Sequence, residues 1–128
     1  MRLLLDTCTF LWLILDSPEL SSRARDLIQK PDNEVVLSVV STWEIAVKHG
    51  MGRLRLPEPI DRYLIGMRKK HAVESLDLTE AASLQGSKLP DLHRDPFDRM
   101  LICQAIVDGL VILTPDEQIR AYPIRTEW

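Results

Sequence analysis

The chain has little that would tie it to an oxidising compartment or to a membrane. Only two of its 128 residues are cysteine, Cys8 and Cys103, which is too few for a disulfide framework. The apolar N-terminus is interrupted by Asp6 after three leucines, and no later run approaches the roughly 20 residues that a membrane span needs. A secretory signal pattern is also missing. We therefore expect a cytoplasmic protein with no membrane association.

Several kinds of catalytic motif are missing as well. There is no glycine-rich phosphate loop, no paired His and Cys spacing for zinc, and no nucleophile elbow. A phosphatase of the haloacid dehalogenase type would need a second aspartate two residues after Asp6, where this chain has Cys8. A receiver domain would need paired acids after its first strand and another aspartate after its third, and neither pattern fits. The net charge of −3 counts mildly against a nucleic-acid partner, because phosphates are usually bound by excess Lys and Arg.

The apolar pattern that is present predicts one α/β domain over residues 1–128. Hydrophobic residues make up 45% of the chain and charged residues 27%, as in a globular protein with a substantial core. Buried strands are predicted at 3–5, 35–40 and 111–113, and weaker strands at 73–76 and 123–125. Helical patterns lie between them, at 9–15, 22–29, 42–49, 60–70, 79–87 and 97–108, with a short turn after Pro115. This alternation favours a mainly parallel sheet with helices on its faces.

Four acidic residues stand where a predicted strand gives way to a helix: Asp6, Glu44, Asp98 and Asp116. Each has a simple structural explanation, since acids in a first helical turn cap the helix and suit its dipole. Together they point to more, because the carboxyl ends of parallel strands meet at one edge of a sheet. Gathered carboxylates repel each other unless cations lie between them, and oxygen ligands select hard cations. The set therefore predicts a site for Mg²⁺ or Mn²⁺.

Four segments, at residues 4–7, 38–45, 95–105 and 112–116, read LLDT, SVVSTWEI, DPFDRMLICQA and ILTPD. In their order and spacing they resemble successive motifs of PIN domains, and more narrowly those of VapC-type toxins of bacterial toxin–antitoxin pairs. The resemblance implies a three-layer α/β/α sandwich around a five-stranded sheet. It also implies a metal-dependent endoribonuclease that leaves a 5′-phosphate and a 3′-hydroxyl, held inactive by a VapB-type antitoxin. We further expect a homodimer.

Carried over by position, the resemblance makes Asp6, Glu44, Asp98 and Asp116 the catalytic and metal-binding residues. Asp95 lies three residues before Asp98, so both could face the same crevice. Asp98 matches the family's acid before the apolar helix, and we expect it to be the principal ligand. Asp95 would then be a helix cap or an additional outer ligand.

Neighbouring polar residues complete the predicted site. His93, Arg94 and Arg99 flank the two aspartates and are expected to contact RNA phosphates, with surface roles as the alternative. Thr7 and Thr114 could orient a ligand or a metal-bound water, or could simply cap helices.

Two further interpretations stay open at this point. His49 and His93 could cleave RNA by acid–base chemistry without a metal, although nothing in their spacing supports it. The chain could also be a catalytically inactive PIN-like interaction module whose acidic pocket binds a basic segment of a partner. Chelation and an RNA cleavage assay would separate these cases.

Overall fold

Five parallel strands form the centre of the fold. In the computed structural model, which describes residues 1–128, they are β1 (Arg2–Leu5), β2 (Glu34–Ser38), β3 (Glu74–Leu76), β4 (Val111–Leu113) and β5 (Thr126–Glu127). Their order across the sheet is β3-β2-β1-β4-β5, and every neighbouring pair is parallel. The chain moves outward from β1 to β3, then returns to place β4 on the other side of β1. The sheet therefore reverses its direction of growth between β1 and β4, which is where open α/β sheets bind ligands.

Seven helices connect and cover the strands. They are α1 (Thr7–Ile14), α2 (Ser22–Gln29), α3 (Val39–Gly50), α4 (Ile60–Lys70), α5 (Glu80–Gln85), α6 (Pro96–Asp108) and α7 (Glu117–Arg120), with one 3₁₀ turn at Gly86–Lys88. None of them combines the length and the apolar character that crossing a membrane would require.

Alternate strand residues face two separate cores. Leu3 and Leu5 pack with residues of α1, α2 and α4 on one face of the sheet, whereas Leu4 packs with α6 and α7 on the other. All three leucines are fully buried. A strand buried on both faces reads as a continuous apolar run, which is why the sequence pattern predicted a covered parallel sheet. The predicted three-layer α/β architecture with five strands is confirmed, and the sheet is parallel throughout.

Two predicted strand boundaries were wrong. The strand predicted at 35–40 ends at Ser38, because the Ser38 hydroxyl oxygen accepts a hydrogen bond from the Val40 amide at 3.0 Å and begins α3 there. The strand predicted at 123–125 lies at Thr126–Glu127 instead. Pro123 has no amide hydrogen to donate, and the pairing with β4 runs through backbone atoms of Arg125 and Glu127.

Candidate active site

Asp6 lies directly after β1 and is buried, with 4% of its surface exposed. It caps α1, since its Oδ1 accepts a hydrogen bond from the Thr9 amide at 2.8 Å. Its Oδ2 accepts from the hydroxyl of Thr114, the first residue after β4, at 2.5 Å. Burial raises the pKa of Asp6, while the hydrogen bonds from Thr114 and Thr9 oppose that rise. An ionised Asp6 is therefore costly in this position, and a bound cation would offset that cost.

Glu44 reaches the same region from α3 and is equally buried, with 4% exposed. Its Oε1 accepts a hydrogen bond from the Thr7 hydroxyl at 2.7 Å, and this hydroxyl also lies 3.0 Å from Oγ of Ser41. Its Oε2 pairs with the ammonium group of Lys48, one helical turn later. Thr7 immediately follows Asp6, so this hydrogen bond connects the Glu44 carboxylate to the start of α1.

Asp95 and Asp98 have different positions at the start of α6. Asp95 is the helix cap, because its Oδ1 accepts hydrogen bonds from the amides of Phe97 at 2.8 Å and Asp98 at 3.1 Å. Asp98 lies in the first turn, and its Oδ2 is 2.8 Å from Nε2 of His93. The capping function foreseen for Asp95 is thus present; whether it also serves as an outer ligand stays a prediction.

The pKa of Asp98 is raised to about 6. Burial is the main cause, and the negative charges of Asp95 and Asp6 add to it, while the hydrogen bond with His93 opposes it. The charge of Asp6, at the start of α1, therefore acts on Asp98, in the first turn of α6. An acid that is hard to ionise among other acids is typical of a functional site.

Asp116 caps the short helix α7, with Oδ1 accepting from the Gln118 amide at 2.9 Å. Its own amide donates to the Thr114 hydroxyl oxygen at 3.0 Å, and the same hydroxyl donates to Asp6. One ligand atom each from His93, Asp98 and Asp116 lies within 4.8 Å of the others. The negative charge of Asp116 also contributes to the raised pKa of Asp6. Three of the predicted acids and one histidine thus share one crevice beyond β1 and β4, with Glu44 joined to it through Thr7.

The donor set suits a divalent cation. Ligands on one ion at about 2.1 Å lie about 3 to 4.2 Å apart, so ligand atoms already within 4.8 Å need only small movements. The cluster holds four carboxylates, and the basic groups bonded to it are Lys48 and His93. The residues present therefore fit a metal such as Mg²⁺ or Mn²⁺.

The basic residues predicted to contact phosphate occupy three different environments. Arg94 is exposed. His93 is mostly buried against Asp98. Arg99 is turned away from the acids: its Nη1 donates to the Pro90 carbonyl and the Tyr122 hydroxyl, each at 3.0 Å. Arg99 therefore holds the loop before α6 in place, and Arg94 is the predicted contact that faces solvent.

Sequence reasoning missed Tyr122, which is 2% exposed and helps to shape the site. Its hydroxyl accepts hydrogen bonds from the amides of Leu92 at 3.2 Å and His93 at 3.0 Å, as well as from Arg99. These partners lie 23 to 30 residues away in sequence, so no local pattern could have revealed them. Tyr122 fixes the loop that carries His93.

An apolar cleft lies between α3 and the start of α6. Trp43 precedes Glu44, Phe97 precedes Asp98, and the two rings meet edge to face with centroids 5.2 Å apart. Trp43 is 62% exposed. The cleft is lined by Val40, Trp43, Leu78, Pro96, Phe97 and Met100.

Comparison with known proteins gives consistent similarities. A family model described as PIN domain matches residues 3–124. Ribonuclease VapC22 of Mycobacterium tuberculosis (strain ATCC 25618 / H37Rv) is 26% identical over 120 residues, covering 93% of this chain and 90% of its own length. Ribonuclease VapC16 of the same organism is 30% identical over 60 residues, covering 47% of this chain and 43% of its own.

Two solved structures share the fold at low sequence identity. DNA-bound VapBC from Salmonella typhimurium has a TM-score of 0.73 at 24% identity and covers 99% of this chain and 97% of its own. VapBC2 from Rickettsia felis, bound to a promoter DNA fragment, has a TM-score of 0.75 at 16% identity and covers 99% and 98%.

Proposed function

The chain belongs to the PIN domain family, and from that premise we propose that it is a metal-dependent endoribonuclease, the toxin of a VapBC-type toxin–antitoxin pair. The observation that carries the proposal is the gathering of Asp6, Asp98 and Asp116 beyond β1 and β4, with Glu44 joined to them through Thr7. Relatives named as VapC ribonucleases support RNA as the substrate.

The carboxylates of Asp6, Asp98 and Asp116, with Glu44 beside them, would hold Mg²⁺ or Mn²⁺. A cation bound there supplies two things: it lowers the pKa of a water molecule and offsets charge that develops on the phosphodiester oxygens. The hydroxyl of Thr114 donates to Asp6 and orients its carboxylate. Buried carboxylates that accept such hydrogen bonds keep more of their ionised form.

Two threonines support the acids rather than a ligand directly. Thr7 donates to Glu44 and Thr114 donates to Asp6, so both hydroxyl hydrogens are already engaged with carboxylates. We propose that they fix the direction of the two acids, as partners of metal ligands commonly do. Lys48 fixes the other oxygen of Glu44 in the same way.

Arg94 is the basic side chain that we propose for phosphate contact, because it is exposed and adjoins His93 and Asp95. A similar contact from Arg99 would require its guanidinium to leave the carbonyl groups that it now holds. The net negative charge of the chain does not prevent RNA binding in this proposal, since a bound divalent cation would make the electrostatic potential of the acidic crevice positive.

Three further elements belong to the proposal. Solved VapBC complexes with this fold support a VapB-type antitoxin as partner, and an Arg or Lys from it would suit the acidic crevice. We propose that the protein acts in the cytoplasm and assembles as a homodimer. A strictly monomeric protein at micromolar concentration would remove the dimer from the proposal.

The test is cleavage of end-labelled RNA by the purified chain with Mg²⁺ or Mn²⁺, with and without excess EDTA. We expect metal-dependent products that carry 5′-phosphates, and a loss of about 10² or more in rate for Asp98→Asn. Asp26→Asn, at an exposed aspartate of α2, is the matched control. Cleavage that persists in EDTA would indicate histidine chemistry. Metal binding without any cleavage would indicate the interaction module.

A further inference from the structure

The imidazole of His93 lies inside the acidic crevice rather than at its outer edge. Its side chain is 10% exposed, and its Nε2 is 2.8 Å from Oδ2 of Asp98. One ring nitrogen of His93 also belongs, with carboxylate oxygens of Asp98 and Asp116, to the group of atoms within 4.8 Å of one another. A ring buried to this degree and turned toward two carboxylates is poorly placed to meet a polyanion. Its position suits contact with a cation.

The backbone around His93 is fastened to the helix that carries Asp98. The His93 amide donates to the Tyr122 hydroxyl at 3.0 Å, and its carbonyl accepts from Nη1 of Arg99 at 3.3 Å. Arg99 is the residue after Asp98 on α6, so one helix turn fixes both the acid and the loop opposite it. Metal ligands need such support to keep their geometry.

The distances match those of two ligands on one ion. In octahedral coordination with bonds of about 2.1 Å, adjacent ligand atoms lie about 3 Å apart. The 2.8 Å between His93 Nε2 and Asp98 Oδ2 is close to that value. The same arrangement therefore serves as a hydrogen bond without metal and as a pair of adjacent ligand positions with metal.

We propose that His93 is a metal ligand through Nε2, which gives the site a mixed nitrogen and oxygen donor set that favours Mn²⁺ or a later first-row ion over Mg²⁺. Imidazole suits transition metals, whereas Mg²⁺ takes oxygen ligands. The inference rests on the proposed metal-dependent function and specifies its metal. In the competing arrangement, Nε2–H keeps its hydrogen bond to Asp98 and His93 is only a positioning residue.

Pulsed electron paramagnetic resonance of the Mn²⁺-loaded chain separates these two arrangements without measuring activity. With ¹⁵N-labelled histidine in an otherwise unlabelled protein, we expect a ¹⁵N coupling to Mn²⁺ that disappears in His93→Gln. The coupling should persist in His49→Gln, because His49 lies at the far end of α3 beside Glu58. A wild-type protein that binds Mn²⁺ with no such coupling would overturn the ligand assignment and leave the proposed function intact. No binding of Mn²⁺ at all would overturn both.

Calorimetric titration adds a second readout. For His93→Gln we expect about 10- to 100-fold weaker Mn²⁺ binding, with a much smaller change for Mg²⁺. Equal losses of affinity for Mn²⁺ and Mg²⁺ would contradict the ligand assignment and indicate that His93 is a positioning residue. Denaturant unfolding of the metal-free variants verifies that each has folded before it is titrated.

Discussion

Asp98→Asn should stabilise the metal-free protein while it lowers the rate of metal-dependent cleavage by about 10²-fold or more. Asp98 is 17% exposed, and its ionised form is opposed by burial and by the charges of Asp95 and Asp6. Asparagine removes the charge but keeps an oxygen that can accept a hydrogen bond from Nε2 of His93. The acid therefore costs folding stability in the absence of a cation, and its neutral counterpart does not.

The size of the effect follows from the pKa of Asp98. A rise from 3.8 to about 6 corresponds to about 3 kcal/mol against the ionised form, at about 1.4 kcal/mol for each pH unit. Solvent screening at the partly open crevice reduces this, so we expect about 1 to 3 kcal/mol. Between pH 3.8 and 6 the folded state binds the proton more tightly than the unfolded state. Stability is therefore lost as the pH rises through this window, and the loss is complete above pH 6.

Urea unfolding of EDTA-treated wild type and Asp98→Asn, at a series of pH values from 4 to 8, measures this directly. The variant should gain stability over wild type between pH 4 and 6 and keep a constant advantage above. Mn²⁺ at about 100 times its Kd should raise the free energy of unfolding of the wild type by about 2.7 kcal/mol and that of the variant by little. Asp26→Asn should leave the pH dependence unchanged. A variant no more stable than wild type at pH 8 without metal would refute the reasoning.

Other substitutions test individual contacts of the site. Thr114→Val removes the hydrogen bond to the buried carboxylate of Asp6 and should lower the free energy of unfolding by about 1 to 3 kcal/mol; an unchanged urea midpoint would contradict this. Arg99→Met frees the loop before α6 and should make this loop the first site of cleavage in limited proteolysis. A loop as protected as in the wild type would show that Arg99 does not anchor it. Arg94→Gln should raise KM for RNA without altering stability, and an unchanged KM would remove Arg94 from the phosphate contacts. Lys48→Met leaves buried Glu44 without its ammonium partner, so the free energy of unfolding of the metal-free protein should fall and Mg²⁺ should restore it. Equal losses of stability with and without Mg²⁺ would show that Glu44 lies outside the metal site.

The general fold was predictable because its signals are local. Leu3 to Leu5 form a run that is typical of a strand covered on both faces, and Gly109 ends α6 in the left-handed conformation that glycine favours. Asp6 and Asp116 follow β1 and β4 closely in sequence, so a parallel sheet places them at the same edge for any conformation of the connecting loops. The end of β2 was harder to predict from the sequence, because the two valines after Ser38 are residues typical of strands. They are helical because the Ser38 side chain caps α3.

The inner arrangement of the site depends on contacts that no sequence window contains. His93 and Asp98 are five residues apart, but their hydrogen bond requires the loop that Tyr122 and Arg99 hold from a distance. The threonine hydroxyls likewise connect residues that are 37 and 108 positions apart. Sequence spacing therefore predicted that these acids gather, but it could not distinguish Arg99, which anchors a loop, from Arg94, which faces solvent.

The most direct measurement is the anomalous difference map of a crystal soaked in Mn²⁺. We expect one or two strong peaks in the crevice beyond β1 and β4, within about 2.3 Å of carboxylate oxygens from Asp6, Asp98 or Asp116. Density for Mn²⁺ at other surfaces, with this crevice empty at full soaking concentration, would contradict the metal-dependent nuclease site.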